Sequence, residues 1–171
     1  DPKQTTFSEQ FLGKLRTADA LLAVVRSFKD PAVPHPLDSI DARRDLEAIE
    51  TEFLLSDLAI VESRSDKLRK QIAAKKSDRD VRELAALEKC KASLDAETPL
   101  RRVDLSEDEE TLLRGFRFLT RKPLIAVVNL DEDEIRREPE ILAPFADWAA
   151  EGGSAAVGGR GPKRARGAGA S

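Results

Sequence analysis

The sequence predicts an α/β fold in which parallel strands are flanked by helices and a long antiparallel helical hairpin is inserted, with most residues helical. Three observations lead there. Leu124-Ile125-Ala126-Val127-Val128 is an unbroken apolar run that follows Pro123 and ends at Asn129. Ala20–Val25 is a second such run, ended by Arg26. An uninterrupted apolar run of this length reads as a strand buried on both faces of a parallel sheet. Between the two runs, Leu54, Leu58, Val61, Leu68 and Ile72 fall on a heptad seam with Ser65 in its one polar slot, the spacing of helices that bury one another.

The elements follow in chain order. Phe7, Phe11 and Leu15 recur every four residues and predict a short amphipathic helix before the first strand. Pro31, Pro34 and Pro36 mark the next segment as a stiff loop, with His35 held extended because a residue before proline avoids the helical region. Asp41 opens a helix running to about Lys75, joined at its start by Leu46, Ile49 and Phe53. At about 1.5 Å per residue it reaches roughly 50 Å, so it projects from a domain of this size. A break at Lys76-Ser77-Asp78, with Ser77 or Asp78 as N-cap, precedes a second helix carrying Leu84, Leu87 and Leu94. Pro99 closes the hairpin, and Ser106 with Glu109 forms a capping-box pattern before Leu112, Leu113 and Phe116. Beyond Glu132 come a polar turn and a helix, interrupted by Pro139 and Pro144, whose Ile141, Leu142, Phe145 and Trp148 pack on the sheet.

Composition narrows the function classes. The chain has 171 residues, net charge −3, one cysteine, one histidine and no methionine, even at position 1. It therefore reads as an internal piece or a processed product, in a reducing compartment because Cys90 has no internal partner. No apolar run approaches the roughly 20 residues of a membrane helix, so the expectation is a cytoplasmic protein without a membrane partner. Residues 152–171 hold Arg160, Lys163, Arg164 and Arg166 and no acid, a Gly/Ala-rich composition that predicts a disordered tail. With the whole chain at −3 and that tail at +4, residues 1–151 carry −7, which argues against nucleic-acid binding by the body in general, sequence-specific DNA included. One histidine and one cysteine exclude a hydrolase triad and a zinc site.

Two places carry candidate chemistry. In open α/β sheets ligands bind beyond the carboxyl ends of the strands, where Asn129 can donate and accept and an ionised Glu132 can only accept. The alternative is that Asn129 caps the strand and the acids form a solvated loop. His35 is either an exposed loop residue or a catalytic or switch residue, since imidazole titrates near neutrality.

Several stretches together resemble the YchF/Obg-like ATPase family. Ile40–Leu58 with Val61-Glu62-Ser63-Arg64 resembles the start of its coiled-coil arm, and Leu87-Glu88-Lys89-Cys90 the second arm helix. Leu105-Ser106-Glu107, Phe118-Leu119-Thr120 with Lys122-Pro123, and Asn129-Leu130-Asp131-Glu132 resemble the helix and strand that carry its base-recognition motif. The resemblance runs from about Phe7 to Trp148. It implies a partial G domain of a P-loop NTPase of the translation-factor class, with an inserted coiled-coil hairpin, binding ATP with Mg2+ and associating with ribosomes. It implies that Asn129, Leu130 and Glu132 line an adenine pocket, with Leu130 where GTPases have lysine, and that His35 assists attack by water. Adenine lacks the paired donors of guanine that an aspartate accepts, which gives Asn-x-x-Glu in place of Asn-Lys-x-Asp a physical reason.

The departures shape the expectation as much. No Gly-x-x-x-x-Gly-Lys-Ser/Thr motif occurs in these residues, the magnesium-binding Asp-x-x-Gly is expected upstream of Phe7, and a later strand and a TGS domain are expected downstream. The hairpin turn has Lys75-Lys76-Ser77-Asp78 where the family usually has glycines. The expected divisions are residues 1–40 (G-domain part), 41–98 (hairpin arm), 99–151 (G-domain part with the base motif) and 152–171 (tail). The expected activity is that of the middle of an ATPase, inactive alone. The alternative is a non-enzymatic hairpin module that binds a protein or the ribosome.

Overall fold

The computed structural model describes residues 6–29, 39–152 and 155–160. It begins with α1 (Glu9–Leu15), whose N-cap Ser8 accepts from the Phe11 amide, and β1 (Leu21–Arg26). Next come α2 (Ala42–Ala74), with Asp41 as N-cap, and α3 (Asp78–Asp95), capped by Ser77. After a short 3-10 turn, α4 (Glu107–Leu113) starts in a complete capping box between Ser106 and Glu109. Then follow β2 (Leu124–Leu130), α5 (Glu138–Gly152) and β3 (Ala155–Arg160). All pairings in the sheet are parallel, in the order β1-β2-β3.

The sheet is buried on one face, where two were expected. Leu21, Ala23 and Val25 of β1, and Leu124, Ala126, Val128 and Leu130 of β2, point into a core completed by Leu12, Leu46, Phe53, Phe145 and Trp148. On the other face Leu22 and Val24 are each 65% exposed and Val157 45%. A continuous apolar run is compatible with either arrangement, because both strand faces are apolar whether or not a second layer covers them. The first helix differs in the same way. Its buried residue is Leu12, while Phe11 is 45% exposed and packs edge-on against Phe7.

The hairpin is a second core. A three-residue connection sends α3 back along α2, burying Leu58, Val61 and Leu68 with Ala86, Leu87, Cys90 and Leu94. Ion pairs Arg64–Glu83 at 2.7 Å and Lys91–Glu62 at 3.0 Å flank that seam. Leu100, Leu113 and Phe118 close its base. Burial raises the Cys90 thiol pKa to about 11.

Two further expectations change. The fifth helix runs through Pro144 without interruption, and it does pack Phe145 and Trp148 on the sheet. Ala155–Arg160 is a strand where a disordered tail was expected from residue 152. Small residues make that approach possible. A Cβ on Gly159 would lie 2.9 Å from Val127 Cγ1, and one on Gly158 would collide with the Glu138 carboxylate. Residues 161–171 lie outside the described residues.

Candidate functional site

The carboxyl ends of β1 and β2 meet in register, Val25 beside Val128 and Arg26 beside Asn129. Ser27, the first residue after β1, donates to the Asn129 carbonyl from its amide at 3.2 Å, and its hydroxyl, with one proton to give, lies 3.0 Å from that carbonyl. The same hydroxyl lies 2.6 Å from Glu134 Oε2. Glu134 also accepts from the Asp131 amide at 3.2 Å, and Asp131 Oδ1 accepts from the Glu134 amide at 2.8 Å. That reciprocal pair closes the Asp131–Glu134 turn ahead of the 3-10 turn Glu134–Arg137, whose N-cap is Asp133, and it ties down the chain just beyond Asn129.

Asn129 is half-buried on the open side of the sheet, Leu130 is 4% exposed on the core side, and Glu132 is exposed beyond the strand. Asn129 and Glu132 thus stand at one strand end, with Leu130 packed beneath them among Val128 and the other core residues. His35 lies outside the described residues. Among the described residues no group of three or more His, Cys, Asp or Glu side chains comes together to hold a metal ion. Ser27 and Glu134 are hydrogen-bonded neighbours of the candidate motif that the sequence reading missed. Asp131-x-x-Glu134 has the same box spacing as Ser106-x-x-Glu109, and that spacing was the available signal.

A second polar centre sets where this strand begins. Asp57, on α2, is fully buried. Its carboxylate accepts from the Leu119 amide at 3.1 Å, the Thr120 amide at 2.8 Å and the Thr120 hydroxyl at 2.8 Å, and pairs with Arg16 at 2.7 Å. Arg16 reaches on to Ser56 Oγ at 2.7 Å and the Arg117 carbonyl at 3.2 Å. Nearby, Glu50 of α2 accepts from Trp148 Nε1 at 2.5 Å and from Arg101. Lys122 donates to the Ala18 carbonyl at 2.6 Å, and burial lowers its pKa. The root of the arm is therefore bonded to the segments before both β1 and β2. Heptad spacing gives no sign of this, because Asp57 sits beside the seam and its partners are backbone amides 62 and 63 residues away.

Parallel strands with a helical hairpin inserted between the first and second, and polar groups gathered at the strand ends, define a class: an α/β domain carrying a projecting arm. The chain is 36% identical over 144 residues to Ribosome-binding ATPase YchF of Bacillus subtilis, covering 82% of this chain and 39% of that protein. It is 32% identical over 148 residues to Obg-like ATPase 1 of Oryza sativa subsp. indica, covering 86% of this chain and 38% of that protein. The solved structure of the Schizosaccharomyces pombe YchF GTPase superposes with a TM-score of 0.76 at 29% identity, covering 91% of this chain and 44% of that one. No family model matches the chain. The chain belongs to the YchF/Obg-like ATPase family, and it spans about two fifths of the length of the curated relatives it matches.

Proposed function

We propose that this chain is the base-reading edge and the arm of an ATPase that prefers ATP to GTP and associates with ribosomes, and that it does not turn over ATP by itself. The observation that supports this most directly is the strand end, where Ser27 bonds to the Asn129 carbonyl and a hydrogen-bonded Asp131–Glu134 turn follows, at the carboxyl side of a parallel sheet. An amide and a carboxylate there match the donor and acceptors of a purine edge, while Leu130 fills the ground beneath with apolar packing instead of a lysine. Phosphoryl transfer depends on a phosphate cradle, a lysine and magnesium. No such loop occurs in these 171 residues, and His35, the residue we assign to assisting water attack, cannot replace it.

Calorimetry with ATP and GTP tests the base assignment, on this chain and on the longer natural protein. The double variant Leu130→Lys, Glu132→Asp should move the ATP/GTP affinity ratio toward GTP by at least about tenfold, equivalent to roughly 1.4 kcal/mol. An unchanged ratio in a folded protein would show that other groups choose the base. Turnover by this chain above the buffer blank, lost in His35→Ala, would overturn the inactive reading. The second reading, a non-enzymatic hairpin module, is favoured by the hairpin's own hydrophobic core, distinct from that of the sheet. It gains if neither nucleotide binds the longer protein while ribosome association persists.

A further inference from the structure

The free end of the hairpin has a charge opposite to the molecule it extends from. Residues 66–82 hold seven bases and three acids, in a chain of net charge −3. Two of those bases are neutralised within the fold: Arg69 pairs with Asp66 at 3.0 Å and Glu88 at 3.3 Å, and Arg82 pairs with Asp108 at 2.8 Å. Lys67, Lys70, Lys75, Lys76 and Arg79 are all exposed and form no ion pair among the described residues. Lys67 and Lys70 are three residues apart on α2, neighbours on its surface, and Lys75, Lys76 and Arg79 cluster about the turn.

The surface between the two helix ends is a shallow, open concavity of about 680 Å³ lined by Arg64, Gln71, Lys75, Ser77 and Arg79, with two acids, Asp80 and Glu83, and with Ala74 as its only apolar member; the Asp80 carboxylate acts on Arg64. Glu83 within it is already held by Arg64, through bonds of 2.7 and 3.0 Å. A protein partner draws most of its affinity from aromatic or aliphatic anchors in well-packed pockets, and this concavity offers none. A phosphate backbone needs unpaired cations on an open surface, and this is what the tip presents.

We propose that the hairpin tip, from Lys67 to Arg79, is a binding surface for the phosphate backbone of structured RNA. The proposal deepens the ribosome-association reading by assigning the contact to the tip and to RNA. The acidic charge elsewhere in residues 1–151 repels RNA, so the molecule engages end-on, with the sheet held away from the polyanion by the length of the arm.

The test is fluorescence anisotropy of a labelled RNA hairpin titrated with the 171-residue chain, without nucleotide. About four phosphate contacts predict an affinity that falls roughly a hundredfold between about 50 and 200 mM salt. Replacing Lys67, Lys70, Lys75, Lys76 and Arg79 together by Gln should weaken binding at least about tenfold, with the helical circular dichroism unchanged. A second variant, Arg160, Lys163, Arg164 and Arg166→Ala, should keep most of the affinity. The proposal is overturned if the wild-type chain does not bind at low salt, or if the tail variant alone loses binding. It is overturned equally if polyglutamate binds as tightly as the RNA, which would mark a surface for acidic protein. ATP affinity is read separately by calorimetry, so failure at the tip and failure of the base assignment give different results.

Discussion

Asp57 is the residue on which the junction of arm and sheet depends. Its two oxygens, themselves fully buried, satisfy two backbone amides, one hydroxyl and the guanidinium of Arg16, whose side chain is 14% exposed. Truncation would leave Arg16 and the Leu119–Thr120 amides without their acceptor, and breaking a buried pair from one side costs about 3–5 kcal/mol. Asp57→Ala should therefore lower urea stability by that order, with Asp57→Asn losing less because one acceptor remains. A loss below about 1 kcal/mol for the alanine variant would mean that water replaces the carboxylate. Cys90 gives a pH-dependent counterpart. Its folded pKa, about 11, lies above the unfolded value near 9, so the folded state keeps its proton where the unfolded chain would release it. The stability tied to that thiol is complete below about pH 9 and is lost as the pH rises toward 11. Cys90→Ala should flatten this alkaline limb, seen by comparing the two urea midpoints across that range. At pH 8 the native thiol should react with a disulfide reagent far more slowly than the denatured one.

At the scale of the element, the hairpin is a helix pair with one flaw in its seam. Ser65 is 1% exposed and its hydroxyl has no hydrogen-bond partner among the described residues. An unsatisfied buried hydroxyl costs about 1–3 kcal/mol, and alanine is the better helix former. Ser65→Ala should raise the thermal midpoint, and an unchanged or lower midpoint would show that the hydroxyl is satisfied by water in solution. The polar slot was legible in the sequence because it interrupts a regular heptad. Its lack of a partner was not, because that depends on what α3 places opposite, and α3 places Ala86, Leu87 and Cys90 in that core.

At the scale of the whole molecule, two cores meet at the arm's root, and the described residues cover only one side of the sheet. That asymmetry predicts different fates for adjacent leucines. Leu21 is 5% exposed and Leu22 65%. Leu21→Ala should cost about 2–5 kcal/mol, and Leu22→Ala should stay within about 0.5 kcal/mol in the 171-residue chain. Equal losses would mean that the open face is covered in solution.

Local spacing was enough to give the first two strands, the capped helices, the hairpin and its break at Ser77: apolar runs, heptads, and Ser or Asp three residues before the amide it caps. It also placed Asn129 at a strand end and Glu132 just beyond it. Tertiary structure alone decided which face of the sheet is buried, how Asp57 holds the segment before β2, and that Ala155–Arg160 adds a third strand. These depend on groups tens of residues apart that come together only when the chain closes. Leu21 and Leu22 show the difference most simply: they are alike and adjacent in sequence, and one is buried while the other faces solvent because the helices pack on only one side.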